Sequence, residues 1–346
     1  MNKQLSEYDF SKIPFDKIVK LGQRSMLHKD TFVVSWILGR FCNYKCSYCW
    51  THGRSDTKDH RPTELCIKTI DEIKRQARAN KFNSFHFSFS GGEPTFHPGY
   101  LDILQHLADD ISNTNSTTIH MTSNCSQNLK WFEKYVTIAK VFNNAHVTAS
   151  YHREYVNNTD KMKLFGDKLR YLIENGVNTT INMVMVPQWF DMLYDEALYF
   201  HNRGINVTLK PQSDTNARFV VEGYTDSMLE ILHNGLPQRD YRTGLEAEQQ
   251  FYIEMEDESG QVWYMDQAER FNAFNFNTFK GWNCNSGYQS IIIREPDGSI
   301  KRSYSCIDKP IGYIDKGFDI FKSPKVCISP SCVSSADSKI PKVKIA

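Results

Sequence analysis

The chain has 346 residues, 40% of them hydrophobic, with 41 Lys and Arg against 40 Asp and Glu and a formal charge of +1. That is enough apolar material for one large domain and a smaller appendage, while the balanced charge supplies no overall basic field for a nucleic acid or an anionic membrane. No run approaches the roughly 18 apolar residues of a membrane span, and residues 1–20 lack the apolar core of a secretory signal, so the expected location is the cytoplasm.

Residues 1–30 read as an N-terminal extension, and six units of strand followed by helix are expected between about 31 and 236. The run 31–39 is β-rich and apolar on both faces, as a strand enclosed by helices should be. Residues 62–80 predict an amphipathic helix with Thr63 as N-cap and apolar positions 67, 70, 73 and 77. Phe85, Phe87 and Phe89 alternate before the chain breaks on Gly91 and Gly92, and a helical period resumes after Pro98. Further strands are expected at 117–124, 145–152, 178–187 and 205–212, each followed by a helix-like stretch.

Strands alternating with helices imply parallel pairing through right-handed crossovers, either in an open doubly wound sheet or in a barrel. In both, chemistry gathers at the carboxyl ends of the strands. The unusual residues collect there: the cysteine run 42–49, Gly91–Pro94, Thr122–Asn124, Ser150–His152 and Lys210–Pro211. From about 241 to 280 the pattern lapses into an acidic, then Phe- and Asn-rich bridge, whose Trp263, Tyr264, Phe271 and Trp282 would wall a pocket or pack between domains. The last region, 281–346, reads as a small cysteine-ligated unit around a hairpin that turns at Pro296, Asp297 and Gly298.

Nine cysteines in a chain without an export signal argue for reduced thiols, not a disulfide framework. Cys42, Cys46 and Cys49 share one loop, Cys284, Cys306, Cys327 and Cys332 gather near the C-terminus, and Cys66 and Cys125 stand alone. Thiolates select iron-sulfur clusters, zinc or cuprous ion. A structural zinc takes four protein ligands. Here the loop offers three, with His52 a crowded fourth, which suits a cubane with one iron left open.

With this spacing, Cys42-Asn-Tyr-Lys-Cys46-Ser-Tyr-Cys49 resembles the CxxxCxxC signature of the radical S-adenosylmethionine (SAM) superfamily. That resemblance implies a partial (β/α)6 TIM-like barrel over about 31–240, a SAM-binding [4Fe-4S] cluster on the three cysteines, and Tyr48 beside the cofactor. Ser90-Gly91-Gly92-Glu93-Pro94 looks like the family's GGE motif, which contacts the SAM amino group: glycines admit close backbone approach, and a carboxylate or a turned carbonyl accepts from an ammonium. Ser123 and Asn124 stand where many members carry a polar strand end, and Ser150 and His152 where relatives contact the ribose. Cys125 is a candidate hydrogen-atom donor to a substrate radical, Lys210 a candidate substrate or cofactor contact, and Cys66 a core residue.

The C-terminal cysteines resemble the shortened SPASM, or twitch, extension, which implies a fully ligated second [4Fe-4S] auxiliary cluster; zinc is the alternative occupant. In the reading the resemblance implies, SAM is cleaved reductively to a 5′-deoxyadenosyl radical that takes hydrogen from a C–H bond of a peptide or small polar metabolite, and a flavodoxin or ferredoxin supplies the electron. Epimerisation, dehydrogenation and crosslinking are the outcomes expected of two clusters. About thirty residues precede the first strand, too few for the leader-gripping module of many peptide-modifying relatives, so a sugar, aminocyclitol or nucleoside stays open as substrate. A non-catalytic zinc or iron-sulfur protein is the reading from another class.

Overall fold

The computed structural model describes residues 9–23, 31–50, 53–111, 116–214, 219–237, 253–265, 271, 274–332 and 334–345. His52 and the stretch 238–252 of the acidic bridge lie outside the described residues. The chain falls into two compact units, one of Trp36–Ile67 and Phe87–Glu248, the other of Met1–Ser35, Lys68–His86 and Gln249–Ala346.

In chain order the elements are β1 (Ile18–Gln23), β2 (Thr31–Ile37), α1 (Thr63–Ala79), β3 (Ser84–Ser90), α2 (Tyr100–Asp109), β4 (Thr117–Ser123), α3 (Leu129–Ala139), β5 (Asn144–Tyr151), α4 (Thr159–Glu174), β6 (Asn178–Met185), α5 (Phe190–His201), β7 (Asn206–Pro211) and α6 (Asp226–Asn234). The expected alternation is therefore present, with β2 to β7 each followed by a helix. Asn128, Asn158 and Thr225 cap α3, α4 and α6 by accepting from the backbone N–H three residues on. Thr63 is the first residue of α1, whose buried stripe is Cys66, Ile70, Ile73 and Ala77.

In the unit of Trp36–Ile67 and Phe87–Glu248 the strand order is β2-β3-β4-β5-β6-β7, and the pairs β4–β5, β5–β6 and β6–β7 are parallel. No closed barrel forms; the strands make an open parallel sheet of the partial-barrel kind. Its two faces differ sharply. Ile119, Met121, Val147, Ala149, Ile181 and Met183 are buried against the helices. The opposite, half-exposed face carries polar rows set by the register: His120 beside His146 beside Asn178, Thr122 beside Thr148 beside Thr180, and Ser150 beside Asn182 beside Thr208. A packed TIM barrel fills this space with branched apolar side chains. Here the rows remain open to polar contacts. β2 alternates too, burying Phe32, Val34 and Trp36 on one face only, so the expectation of a strand apolar and enclosed on both faces does not hold.

The other unit continues with β8 (Ile253–Asp257), β9 (Val262–Met265), β10 (Asn283–Cys284), β11 (Ser290–Ile293), β12 (Ser299–Lys301), β13 (Gly312–Tyr313), β14 (Gly317–Phe318), β15 (Lys325–Val326), the short helix α7 (Ser335–Ser338) and β16 (Lys342–Val343). One sheet runs β15-β10-β16-β1-β8-β9; β11 to β14 form antiparallel pairs. The hairpin of β11 and β12 turns at Pro296–Gly298 as expected, with the Asp297 carboxylate accepting from Ser299 N at 3.0 Å. The N-terminal extension contains a strand after all, because β1 finds partners in β8 and β16.

Between these strands lies a core of Ile18, Leu21, Met255, Met265, Phe271, Phe276, Phe279 and Trp282, in which the thiols of Cys284, Cys327 and Cys332 are embedded. Phe276, Phe279 and Trp282 meet edge to face at 5.3 to 6.4 Å. Each such side chain contributes about 1.5–3 kcal/mol on burial. Phe271 and Trp282 thus pack the core of this unit and do not wall a pocket.

Candidate functional site

The loop that bears Cys42, Cys46 and Cys49 leaves β2 and is held at its start largely by backbone, with Arg40 also donating from its guanidinium to Arg54 O at 3.0 Å. Gly92 N donates to Gly39 O at 2.9 Å, Glu93 N to Phe41 O at 2.7 Å, and Leu38 N to Ser90 O at 2.9 Å. A Cβ on Gly92 would stand 2.2 Å from both Arg40 O and Phe41 O, and one on Gly91, whose φ is +146°, would stand 2.2 Å from Gly39 O. Glycine is therefore demanded twice, once by close approach and once by close approach and conformation together. On the return, Ser55 N donates to Arg40 O at 2.6 Å and Cys42 N to Ser55 O at 3.3 Å. Cys49 N donates to Cys46 O at 3.1 Å, a tight turn that brings the last two cysteines onto one side.

A second clamp comes from the segment after β5. Glu154 accepts from Ser47 N with both carboxylate oxygens, at 3.1 and 3.0 Å, and from the Ser47 hydroxyl. Tyr155 stacks on Tyr44 at 3.9 Å, 5° from parallel, and its hydroxyl accepts from Lys45 N. Tyr48 and His152 are joined at 2.8 Å between Oη and Nδ1. Burial pushes His152 down to about 4, which favours the neutral imidazole, and the ring tautomer sets which of the two partners donates. From β4, Asn124 Nδ2 reaches Asn43 Oδ1 at 2.9 Å and lies 3.8 Å from Cys42 Sγ. Every residue between Cys42 and Cys49 that could swing the thiols apart is thus tied down. Glu154 and Tyr155 carry no motif and were not foreseen.

Residues 36–197 match the Radical SAM superfamily. They are a radical SAM domain. Among solved structures the chain is similar to native anSMEcpe with bound AdoMet, at a TM-score of 0.53 and 14% identity over 82% of this chain and 78% of that one. It is also similar to native anSMEcpe with bound AdoMet and Kp18Cys peptide, at 0.51 and 14% over 82% and 77%. At such identity the likeness is one of fold. No curated protein matches the chain by sequence.

Within the radical SAM domain, burial pushes the Cys42 thiol up to about 11 and the Cys46 thiol up to about 12, with Glu154 adding to the latter. Cys49 is raised by burial as well. Three neighbouring thiols of this kind stay protonated until a cation offsets the charge. Among the described residues no three His, Cys, Asp or Glu groups converge closely enough to hold one metal ion. Thiolates on a single zinc would lie about 3.8 Å apart at Zn–S bonds of about 2.3 Å, whereas a four-iron cluster takes its thiolates on separate irons.

The other expected residues divide. Glu93 is 2% exposed and its carboxylate accepts from Thr95 N at 3.2 Å, Thr95 Oγ1 at 2.7 Å, Ser123 Oγ at 2.8 Å and Asn124 N at 2.6 Å. It ties the glycine turn to the end of β4, which leaves backbone, not this carboxylate, as what the turn offers an outside ammonium. Ser123 is likewise buried and engaged, accepting from Cys125 N at 3.0 Å. Cys125 is 1% exposed, sits at φ +53°, and its thiol points back to Ser123 O at 3.8 Å; such a thiol is out of reach of a substrate radical. Ser150 and Lys210 stay half-exposed on the polar face. Cys66 lies in the core beside His97, as expected. The polar face adds residues not singled out from the sequence: His120 bridges Ser88 Oγ at 2.7 Å and Thr148 Oγ1 at 2.8 Å, and its ring is 5.2 Å from that of His146. The alternation in 117–124 and 145–152 was the available signal.

In the other unit the four remaining site thiols come together across its small sheet. Ser286 Oγ lies 3.3 Å from Cys284 Sγ and 3.7 Å from Cys306 Sγ, and Cys327 and Cys332 both feel the charges of Cys284 and Cys306. Burial raises Cys327, and raises Cys332 to about 12. The four thiols are thus neighbours, with Ser286 and Ser303 beside them, although among the described residues no three converge closely enough for one metal ion.

Proposed function

We propose that the chain is a radical SAM enzyme acting on a peptide or a small polar metabolite. The observation that carries this is the three-thiol loop, clamped from both sides inside a radical SAM domain. Cys42, Cys46 and Cys49 hold a [4Fe-4S] cluster, Tyr48, His152 and Ser150 flank SAM, and the backbone at Gly91 and Gly92 meets its amino group. When bound, cluster and SAM supply a 5′-deoxyadenosyl radical that takes a hydrogen atom from a C–H bond of the substrate. The chain's part is to orient that bond and exclude water. The hydroxyl, amide and imidazole rows of β4 to β7 favour a substrate rich in hydrogen-bonding groups, and the peptide held by anSMEcpe in one related structure is of that class. Cys284, Cys306, Cys327 and Cys332 hold a second [4Fe-4S] cluster, which favours an outcome with a redox step. An external one-electron donor, a flavodoxin or ferredoxin, completes the system.

Anaerobic reconstitution with iron and sulfide, followed by dithionite and SAM, is expected to yield 5′-deoxyadenosine, read by mass spectrometry, slowly even without substrate. Zinc in place of iron and sulfide, together with no such product, would falsify the enzyme reading. Glu154→Ala removes an acceptor shared by two donors of Ser47, at a cost of about 1 kcal/mol. The thiol loop then loosens, and iron on Cys42, Cys46 and Cys49 should pass to a chelator several-fold faster than in the parent protein; equal rates would remove Glu154 from the clamp.

A further inference from the structure

Lys342 is 1% exposed, and its ammonium donates to three carbonyls, Asp337 O at 2.8 Å, Ser338 O at 3.1 Å and Ile340 O at 2.8 Å. It also lies 4.9 Å from the centroid of the Phe279 ring. All three acceptors are neutral, so none of these contacts cancels the charge. A buried ammonium held only by dipoles is costly and normally has a counter-charge. Asp337 supplies part of it, and the register brings a second group: Lys342 on β16 is the direct antiparallel partner of Cys284 on β10, which places both side chains on one face of the sheet. The charge reaches the Cys332 sulfur as well.

Two hydroxyls add to it. Ser303 Oγ donates to Cys306 Sγ at 3.1 Å, and Ser286 Oγ sits between Cys284 Sγ and Cys306 Sγ at 3.3 and 3.7 Å. Once the thiols are ionised both hydroxyls are donors to sulfur. Arg302 is buried in the same region, donating to Ser286 O at 3.1 Å and Lys325 O at 3.2 Å, but it is neutralised by Asp308 at 3.2 Å. The Asp337 carboxylate accepts from the amides of Tyr304 and Ser305, at 3.3 and 2.6 Å, and its charge acts on Lys342 and on Cys332, so it offsets part of the cation. The surroundings of the thiol loop in the radical SAM domain are of mixed sign: Glu154 is bonded to Ser47 beside Cys46 and Glu93 to Asn124 N, while Lys45 and Arg54 share Asp56 at 3.1 and 2.5 Å.

We propose that Lys342, with Ser286 and Ser303, sets the C-terminal thiol site to favour the one-electron-reduced form of its cluster. The inference rests on the reading that Cys284, Cys306, Cys327 and Cys332 hold a [4Fe-4S] cluster. A reduced cluster carries one more negative charge, and a buried cation with hydroxyl donors to sulfur stabilises that charge directly. The aromatic core around Cys284, Cys327 and Cys332 keeps out the water that would screen it.

The test uses the full chain with Cys42, Cys46 and Cys49 replaced by alanine, so that only the C-terminal site remains. Iron and sulfide analysis after anaerobic reconstitution decides the underlying reading: about four of each per chain are expected, and none would end both that reading and this inference. Potentiometric titration followed by electron paramagnetic resonance then decides the inference. Lys342→Gln, which retains donors for the carbonyls, is expected to lower the reduced-to-oxidised ratio at fixed potential by at least tenfold, equivalent to about 59 mV for one electron. Ser303→Ala is expected to shift it in the same direction by less, with Ser303→Thr holding the parent value, and this pair keeps the test open should Lys342→Gln fail to fold. A full iron-sulfur complement with midpoints unmoved in Lys342→Gln and Ser303→Ala overturns the proposal.

Discussion

Replacing Cys42, Cys46 and Cys49 with alanine is expected to abolish 5′-deoxyadenosine formation while removing about four of about eight iron atoms per chain. The loss of product should exceed about a thousandfold, because in the proposed function the radical generator held by these thiols carries the chemistry. The effect on stability should be small, within about 1 kcal/mol. These thiols are half-exposed loop residues, and the loop is fixed by the backbone of Gly39 to Phe41 and by Glu154 and Tyr155, all of which remain. Iron content, product yield and the melting curve of one preparation therefore separate a lost site from a lost fold. A triple variant that still generates 5′-deoxyadenosine would place the cluster elsewhere.

Gly92→Ala is expected to have the second largest effect. Its Cβ would stand 2.2 Å from two carbonyl oxygens, those of Arg40 and Phe41, and neither can retreat without moving the base of the cysteine loop. The hydrogen bonds from Gly92 N to Gly39 O and from Glu93 N to Phe41 O would open, and Glu93 would lose its alignment with Ser123 and Asn124. A cost of about 3 kcal/mol follows from clash and broken bonds together, seen as a melting temperature lower by several degrees and as iron loss from the loop. Gly176→Ala is the control: φ is +83° there but a Cβ meets nothing within 4 Å, so only the conformational penalty of about 1 kcal/mol is expected. Equal effects at the two positions would show that close packing against the loop does not matter.

How far each feature was legible depends on the range of the interaction that makes it. The six strand and helix units were readable because alternation and helical period are local. The cysteine spacing was readable because its three ligands span eight residues of chain. Glu154 and Tyr155 were not: they act on Ser47 and Lys45 from 107 and 110 positions away, through a loop of ordinary composition. The strand β1 was missed for the same reason, since its partners lie at 253–257 and 342–343. Cys125 and Glu93 were placed at the right strand ends, but a sequence does not say which way a strand-end side chain turns. The turn after β4 folds the thiol inward, and four donors converge on the carboxylate.

By itself the sequence determined the resemblance to the radical SAM superfamily, through three thiols on one loop, and the alternating architecture beneath it, because both are written in short-range spacing. The tertiary structure alone decided that the glycine turn serves the cysteine loop by close backbone contact, that a segment from the next strands clamps the loop's far side, and that Lys342 faces Cys284. Those facts arise from strand register and packing over long separations, where burial and direction are set by the whole chain and not by any neighbouring residue.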